Sequence, residues 1–277
     1  MQPRTLLTTI ASHLLPLAAI MSLVLSLPSH ADKKGEGLMK QAYDHPSRGG
    51  SLGRFKMILK DKAGGERTRT FYSFSHREKG NFVSLIRFVN PDNVKNTGLL
   101  TMDRPGDSGD QWLYMPALGK SRRIASNRKG GRFVGSDVFF EDLRDREVEL
   151  DEHRYLREET MGGSKVAVIE SRPRNAGNSF YSKRLVWVHQ DIKIPLKIEF
   201  YKGKRKEPIK RLEVKKLEQI DGVWTATHNI MSDIQNGSTT ALIAEKIQYD
   251  NKIPKSLFTV RSLEEPSQDE KLRSRVR

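Results

Sequence analysis

Alternation of apolar and polar residues with a period of two dominates the chain beyond residue 50. In the first such run, Phe55, Met57 and Leu59 alternate with basic residues. Successive side chains of a β-strand point to opposite faces, so this pattern predicts strands with one apolar face and one wet face. It predicts strands at residues 55–59, 71–75, 84–89, 98–102, 111–115, 165–171, 182–189, 196–201, 210–217, 223–232 and 239–249.

Turn-forming residues separate these runs. Asp221-Gly222 and Asn236-Gly237 are strong β-hairpin signals, because the tight turns of hairpins favour residues that tolerate a positive φ. The strands follow one another with no long helix between them. The sequence therefore predicts an α+β fold that is mainly antiparallel β, arranged as a sandwich or as an open or closed barrel.

The remaining segments predict few helices. A short helix is expected over residues 35–46, and short helical insertions are expected at 137–146 and 150–161. The charged tail from Pro266 is expected to fray. No segment is long enough to act as a linker between two domains, so we expect a single domain over residues 32–277.

Residues 1–31 differ from the rest of the chain. Arg4 precedes a mostly apolar run, and the small residues Ser29 and Ala31 follow it. This pattern predicts a secretory signal peptide that is cleaved after Ala31. The alternative is an uncleaved membrane anchor, because the run is about long enough to span a bilayer. Polar residues inside the run favour cleavage, and the expected compartment is the periplasm.

Composition narrows the classes of partner. The chain has no cysteine, which excludes disulfides and thiolate chemistry, and it carries a net charge of +15. Such a basic exported protein is expected to meet anionic lipid head groups, a membrane surface or an acidic partner. Nucleic acid is not expected as a partner, because export separates the protein from it.

The motifs of common enzymes are missing from the sequence. There is no His-Glu-x-x-His pair, no Gly-x-Ser-x-Gly elbow and no phosphate-binding glycine loop. Carboxylates cluster between Glu141 and Glu152, where two of them could form an acid/base pair. The alternative is a charged helix face with Arg144 and Arg146 interleaved. We expect no enzyme, no metal and no cofactor.

Two further features point to binding. Trp112 and Tyr114 share one face of a predicted strand whose other face carries Leu113 and Met115. A strand that is apolar on both faces lies either in the centre of a packed core or along a cavity. A basic run follows at residues 120–132, where it forms either a binding site for an anionic head group or a solvated loop.

The stretch from Asp110 to Lys120, with Arg122-Arg123-Ile124-Ala125 and the run at 133–137, resembles the outer membrane lipoprotein-sorting protein family. This family is LolA-like and related to the uncharacterised treponemal lipoprotein domain. The resemblance covers roughly residues 35–264, including Val186-Trp187-Val188 and Ile220-Asp221-Gly222-Val223-Trp224. It implies a half-open antiparallel β-barrel in which short helices cover an apolar cavity that holds acyl chains.

Under this resemblance we expect a periplasmic carrier or binding protein for lipoprotein acyl chains or another lipid. An inner-membrane lipid transporter is a further expected partner, and residues 137–161 are the expected lid. The alternatives are a partner that docks on such a transporter and carries nothing, and a hydrolase that uses the carboxylates. The expected cavity residues are Leu99, Trp112, Tyr114, Phe133, Phe139 and Trp187, and the expected head-group or partner contacts are Arg122, Arg123 and Arg132.

Overall fold

A computed structural model of the chain describes residues 32–48, 50–106, 109–250 and 252–276. The predicted signal peptide therefore lies outside the described residues. The helices are α1 (Lys33–Tyr43), α2 (Val260–Glu264) and α3 (Glu270–Arg273). The strands are β1 (Ser51–Lys60), β2 (Glu66–Glu78), β3 (Asn81–Asn90), β4 (Gly98–Asp103), β5 (Asp110–Met115), β6 (Lys120–Arg123), β7 (Asp151–Met161), β8 (Ser164–Pro173), β9 (Lys183–His189), β10 (Pro195–Tyr201), β11 (Lys210–Ile220), β12 (Val223–Asp233) and β13 (Ser238–Tyr249).

All thirteen strands form one antiparallel sheet with the order β6-β5-β4-β3-β2-β1-β13-β12-β11-β10-β9-β8-β7. Two meanders, β1 to β6 and β7 to β13, therefore join through the pairing of β1 with β13. The sheet does not close, because β6 and β7 are its two edges. The predicted α+β, mainly antiparallel fold of an open barrel is confirmed.

The sheet has two apolar faces, which we call inner and outer. On the inner face, Phe71 and Phe88 pack with Phe133 of the segment that connects the two sheet edges. On the outer face, Leu85 and Leu100 pack in a separate cluster with residues after 252. Neighbours such as Leu85 and Ile86 belong to different clusters, as the alternation of a strand requires.

Residues 124–150 connect the two edges of the sheet, and we call them the crossing segment. It contains only short 3-10 turns, of which Phe140–Leu143 is one, and it runs over the inner face. The helix predicted at 137–146 is therefore replaced by irregular backbone that contains this single turn.

The helix predicted at 150–161 is wrong, since these residues form the edge strand β7. Gly162 and Gly163, with φ of 57° and 83°, make the tight turn that folds β7 back against β8. Charged residues are common on exposed edge strands, and in β7 they interrupt the alternation of apolar and polar residues that predicts a strand. The short strand β6 was missed for the same reason, because three of its four residues are basic.

The tail from Pro266 does not fray from the fold, contrary to the prediction. Residues 266–276 form short helical turns, and Val276 is fully buried against the outer face. Arg87 anchors this region from β3, because its fully buried guanidinium donates to the carbonyl oxygens of Leu263 at 2.7 Å and Ser262 at 3.0 Å. Its Nε also lies 3.7 Å from the buried carboxylate of Asp269. A sequence pattern cannot show such long-range partners.

Replacing Arg87 with alanine should lower the free energy of unfolding by about 3–5 kcal/mol, because it removes one of the two arginines that pair with the buried Asp269 carboxylate and leaves the carbonyl groups of Ser262 and Leu263 without their donor. Urea unfolding followed by tryptophan fluorescence measures the change. Arg104, which is exposed, is the matched control, and its alanine variant should stay within about 0.5 kcal/mol of the parent protein. Equal stabilities for the two variants would contradict the anchoring role of Arg87.

Candidate functional site

A cavity of about 440 Å³ lies on the inner face between α1, the crossing segment and the strands β7 to β13. Its volume falls within the range of about 300–1,000 Å³ that is typical of ligand pockets. The sheet contributes mostly apolar side chains. Those that alternate toward the cavity are Val186, Ile198, Phe200, Leu212, Val214, Met231 and Leu242.

Helix α1 closes one side of the cavity with Met39 and Ala42. Its position is fixed by Asp32, whose side chain caps the helix at Gly35 and also accepts a hydrogen bond from the Tyr155 backbone N–H at 2.7 Å. Gly35 permits this close approach, because a Cβ there would lie 2.8 Å from the Tyr155 nitrogen. The helix is thereby attached to the edge strand β7.

A second, smaller chamber of about 190 Å³ adjoins the first on the side of β1, β2 and β3. Phe55, Phe71 and Phe133 give it an aromatic wall. Five residues border both chambers, and they are Val138, Leu143, Ala226, Asn229 and Leu242. The inner face therefore carries a forked apolar space instead of a uniformly filled core.

One wall of the larger chamber is charged but neutralised within itself. Arg184 of β9 pairs with Glu141 of the crossing segment, and both are buried. Arg184 also lies 3.5 Å from Asp151, which Arg146 holds at 2.6 Å. These charges alternate in sign, and each is paired, so the wall adds little net charge to the cavity.

A second buried pair joins Asp142 of the crossing segment to Lys210 of β11, whose ammonium is fully buried. Tyr181 donates from its hydroxyl to Asp142 at 2.6 Å. The Lys210 ammonium also lies 3.5 Å from the centre of the Phe139 ring, a favourable cation–π position. Burial lowers the pKa of Lys210, and burial together with the Asp142 carboxylate raises the pKa of Tyr181 well above its usual value.

His153 borders the larger chamber and is buried. Its Nδ1 lies 2.8 Å from the Ser171 hydroxyl, and its Nε2 lies 2.9 Å from the Val148 carbonyl oxygen. A neutral ring satisfies both contacts by donating from Nε2 and accepting at Nδ1. Burial lowers the pKa of His153, which favours this neutral form.

The fully buried polar side-chain atoms around the cavity have hydrogen-bond partners. Within residues 32–48, 50–106, 109–250 and 252–276, the buried side-chain nitrogens and oxygens that lack a partner belong to Arg54, His76, Arg87, Trp112, Asp269 and Arg273, and none of these borders either chamber. The same part of the chain has no group of three or more histidine and carboxylate side chains that could hold a metal ion. Among the described residues, the fully buried side-chain polar atoms that border the chambers are therefore hydrogen-bonded.

The carboxylates near residue 141 form neither a solvated helix face nor an isolated acid/base pair. Glu141, Asp145 and Asp151 are buried, the side chain of Asp142 is only 5% exposed, and all four are paired with basic residues. Buried ion pairs between residues that are far apart in the sequence leave no periodic pattern in it. The sequence signal was the unusual density of both charges between Glu141 and Glu152.

The structure separates the apolar residues that the sequence proposed for the cavity. Leu99 and Phe133 lie in the inner-face cluster near β1 to β4, and Phe139 lies in the next inner-face cluster. Phe133 borders the smaller chamber. Trp112 and Tyr114 instead pack on the outer face against the C-terminal region.

Trp187 also points to the outer face, where it packs with Val166 and Val168. Its indole N–H donates to Glu159 at 2.8 Å, and the Lys197 ammonium lies 3.4 Å from the ring centre. Outer-face packing therefore accounts for the apolar pattern on both sides of these strands. Most of the apolar sheet residues that border the larger chamber come instead from β10 to β13, where single aliphatic side chains gave no special signal.

The three arginines proposed for a head group occupy different environments. Arg132 pairs with Asp137 at 2.6 Å and with Asp233, so it attaches the crossing segment to β12. Arg123 is exposed and pairs with Asp110, while Arg122 is exposed on the same edge strand β6. None of the three borders the two chambers. Their head-group role stays a prediction.

Known proteins share this architecture. A family model described as "-like: Uncharacterized protein" matches residues 80–265. The structure described as an outer membrane lipoprotein-sorting protein domain from Vibrio parahaemolyticus is 30% identical, has a TM-score of 0.78 and matches 83% of this chain and 98% of its own. The chain belongs to the outer membrane lipoprotein-sorting protein family.

Other relatives share the fold of this family. A protein from Desulfovibrio piger, of a domain family of unknown function, is 27% identical with a TM-score of 0.77, and the match covers 85% of this chain and all (100%) of that one. A LolA superfamily protein from Nitrosomonas europaea is 21% identical with a TM-score of 0.66, over 81% of this chain and 97% of its own. A comparison with curated proteins found no match. No helix in the described part of the chain is long and apolar enough to cross a membrane.

Because burial lowers the pKa of His153, stability should depend on pH near neutrality. The unfolded chain takes up a proton on this histidine as the pH falls through its ordinary value of 6.5, whereas the folded state resists protonation. Stability is therefore complete above that pH and falls below it, by at most about 1.4 kcal/mol per pH unit for one proton. Urea unfolding between pH 7.5 and 5.5, chosen as roughly one unit either side of the ordinary histidine pKa, measures the slope, and His153→Asn should reduce it. An unchanged slope in the variant would contradict this role.

Asp142→Ala should lower the free energy of unfolding by about 3–5 kcal/mol, because it leaves the buried Lys210 ammonium unpaired. Thermal and urea unfolding measure the loss. Glu149, an exposed carboxylate of the same segment, provides the control, and Glu149→Ala should change stability by no more than about 0.5 kcal/mol. If Asp142→Ala were as stable as its control, the crossing segment would not depend on this pair.

Proposed function

We propose that this protein is a periplasmic carrier or binding protein for an apolar ligand, either the acyl chains of a lipoprotein or those of another lipid, in transport toward the outer membrane. The observation that carries the proposal is the 440 Å³ cavity, whose sheet side is lined mostly by aliphatic side chains and which is bordered by no buried side-chain polar atom without a hydrogen-bond partner among the described residues. The name of the Vibrio parahaemolyticus relative supports the same class of cargo.

The energetics of such a carrier need no catalytic group. Transfer of an acyl chain from water to an apolar site gains about 0.8 kcal/mol for each methylene. A chain that fills the larger chamber would therefore be held by burial against apolar side chains such as Ile198, Leu212 and Val214. The charged wall is already neutralised by its own pairs, which fits an uncharged chain better than a charged substrate.

The polar side chains of the site serve structure and not catalysis in this proposal. Glu141 and Asp142 each accept from a buried cation, so neither is available as a free acid or base. His153 uses both ring nitrogens in contacts to Ser171 and Val148. We therefore propose a binding protein and not a hydrolase, with a membrane surface or a lipid transporter of the inner membrane as its transient partner.

The cargo can be identified directly. The full chain is expressed with residues 1–31, purified from the periplasm without detergent, and analysed by native mass spectrometry before and after organic extraction. A bound lipid in stoichiometric amount is the expected result, and its mass names the class of cargo. A protein that holds no lipid, and that takes up no fatty acid when one is supplied, would favour a docking partner that carries nothing.

Filling the larger chamber should weaken this uptake. Ile198→Phe and Val214→Phe each add bulk to the chamber, and each should weaken binding of a fluorescent fatty acid at least about tenfold, the effect of displacing roughly two methylenes. Fluorescence titration of the lipid-free protein measures the affinity. Trp187→Phe changes an apolar side chain on the outer face and should leave binding unchanged. The assignment of the chamber fails if the outer-face variant loses affinity while the two chamber variants keep it.

A further inference from the structure

The two adjoining chambers of the inner cavity constrain the shape of the ligand. The chambers of about 440 Å³ and about 190 Å³ meet at Val138, Leu143 and Leu242, which border both. The smaller chamber is several times larger than the ~30 Å³ share of one water molecule. Its wall is mostly aromatic and aliphatic, so it is better suited to a hydrocarbon chain than to water.

The partition between the chambers is a fixed part of the fold. Val138 and Leu143 belong to the crossing segment, and Val138 is buried. On one side of Val138, Asp137 accepts from the Thr240 hydroxyl at 2.8 Å and from the Ser238 hydroxyl at 2.6 Å. Further along the segment, Asp142 is paired with Lys210. A straight acyl chain in one chamber is therefore separated from the other chamber by Val138 and Leu143, whose segment is held in place by buried hydrogen bonds and an ion pair.

We infer that the ligand is a lipid with at least two acyl chains, one in each chamber, and that the smaller chamber is a separate chain-binding subsite. This inference rests on the proposed function, because it assumes that the larger chamber takes a chain. A one-chain ligand would leave the smaller chamber empty, whereas a second chain of the same molecule gains the burial at no further cost in association entropy.

The two chambers can be blocked independently. Ala244 and Ser73 border only the smaller chamber, so Ala244→Leu and Ser73→Leu reduce its volume without touching the larger one. Val214 borders only the larger chamber, and Val214→Phe is the matched change there. Thermal unfolding establishes that each variant is folded. Two small-chamber variants are used so that the test still holds if one of them does not fold.

Two probes that share a head group and differ in the number of chains complete the experiment. They are oleoyl lysophosphatidylglycerol and dioleoyl phosphatidylglycerol, titrated against the lipid-free protein. We expect Ala244→Leu and Ser73→Leu to weaken binding of the two-chain probe at least about tenfold, equivalent to roughly two displaced methylenes, and to leave the one-chain probe unchanged. Val214→Phe should weaken both probes.

Each result has a distinct meaning. If the small-chamber variants bind both probes as the parent protein does, the second-chain subsite is wrong, while the proposed function stands on the one-chain probe. If they weaken both probes equally, the chambers act as one site and the two-chain inference is again overturned. If the parent protein binds neither probe, the proposed function itself fails.

Discussion

The buried ion pairs between the crossing segment and the inner face of the sheet are the interaction on which this structure depends. An open sheet with edges at β6 and β7 has no covalent or hydrogen-bonded closure. The segment that joins those edges is irregular, so its backbone supplies little regular pairing of its own. Arg132, Glu141 and Asp142 compensate, because each reaches a partner of opposite charge on a different strand.

This arrangement explains how an apolar space persists beneath a covering segment. Hydrophobic contact alone would draw an irregular segment down onto the sheet until the space was filled. Ion pairs have a required distance and direction, and breaking a buried one leaves an unpaired charge at a high cost. The segment is therefore held at a fixed height, and the two chambers remain between Val138, Leu143 and the strands.

The outer face of the sheet is covered in a different way. The region beyond residue 252 covers β1 to β5, and Arg87 fixes it through backbone carbonyl groups. On β8 and β9 the outer face is protected by its own side chains, with Trp187 lying between Glu159 and Lys197. The protein thus packs one face of the sheet as a conventional core and leaves two chambers on the other. That division fits the proposed carrier function, in which a ligand would leave without unfolding the protein.

Local pattern determined the strands, because a period of two is imposed by the geometry of each strand and is visible wherever one face is buried. Eleven of the thirteen strands coincide with alternating runs, and the resemblance of residues 110–137 to a known family placed them in an open barrel. The exceptions, β6 and β7, are the charged edge strands. Each pairs with a neighbouring strand on one side only, and its residues do not alternate regularly between apolar and polar.

Tertiary structure alone decided which apolar face borders the cavity. Trp112, Tyr114 and Trp187 are as apolar as any cavity residue, yet they lie on the opposite face from Leu212 and Val214. A sequence shows that two faces of a strand are apolar, but it does not show what covers each of them. The coverings come from residues far away along the chain, the crossing segment on one side and the C-terminal region on the other, and only the folded chain brings them into place.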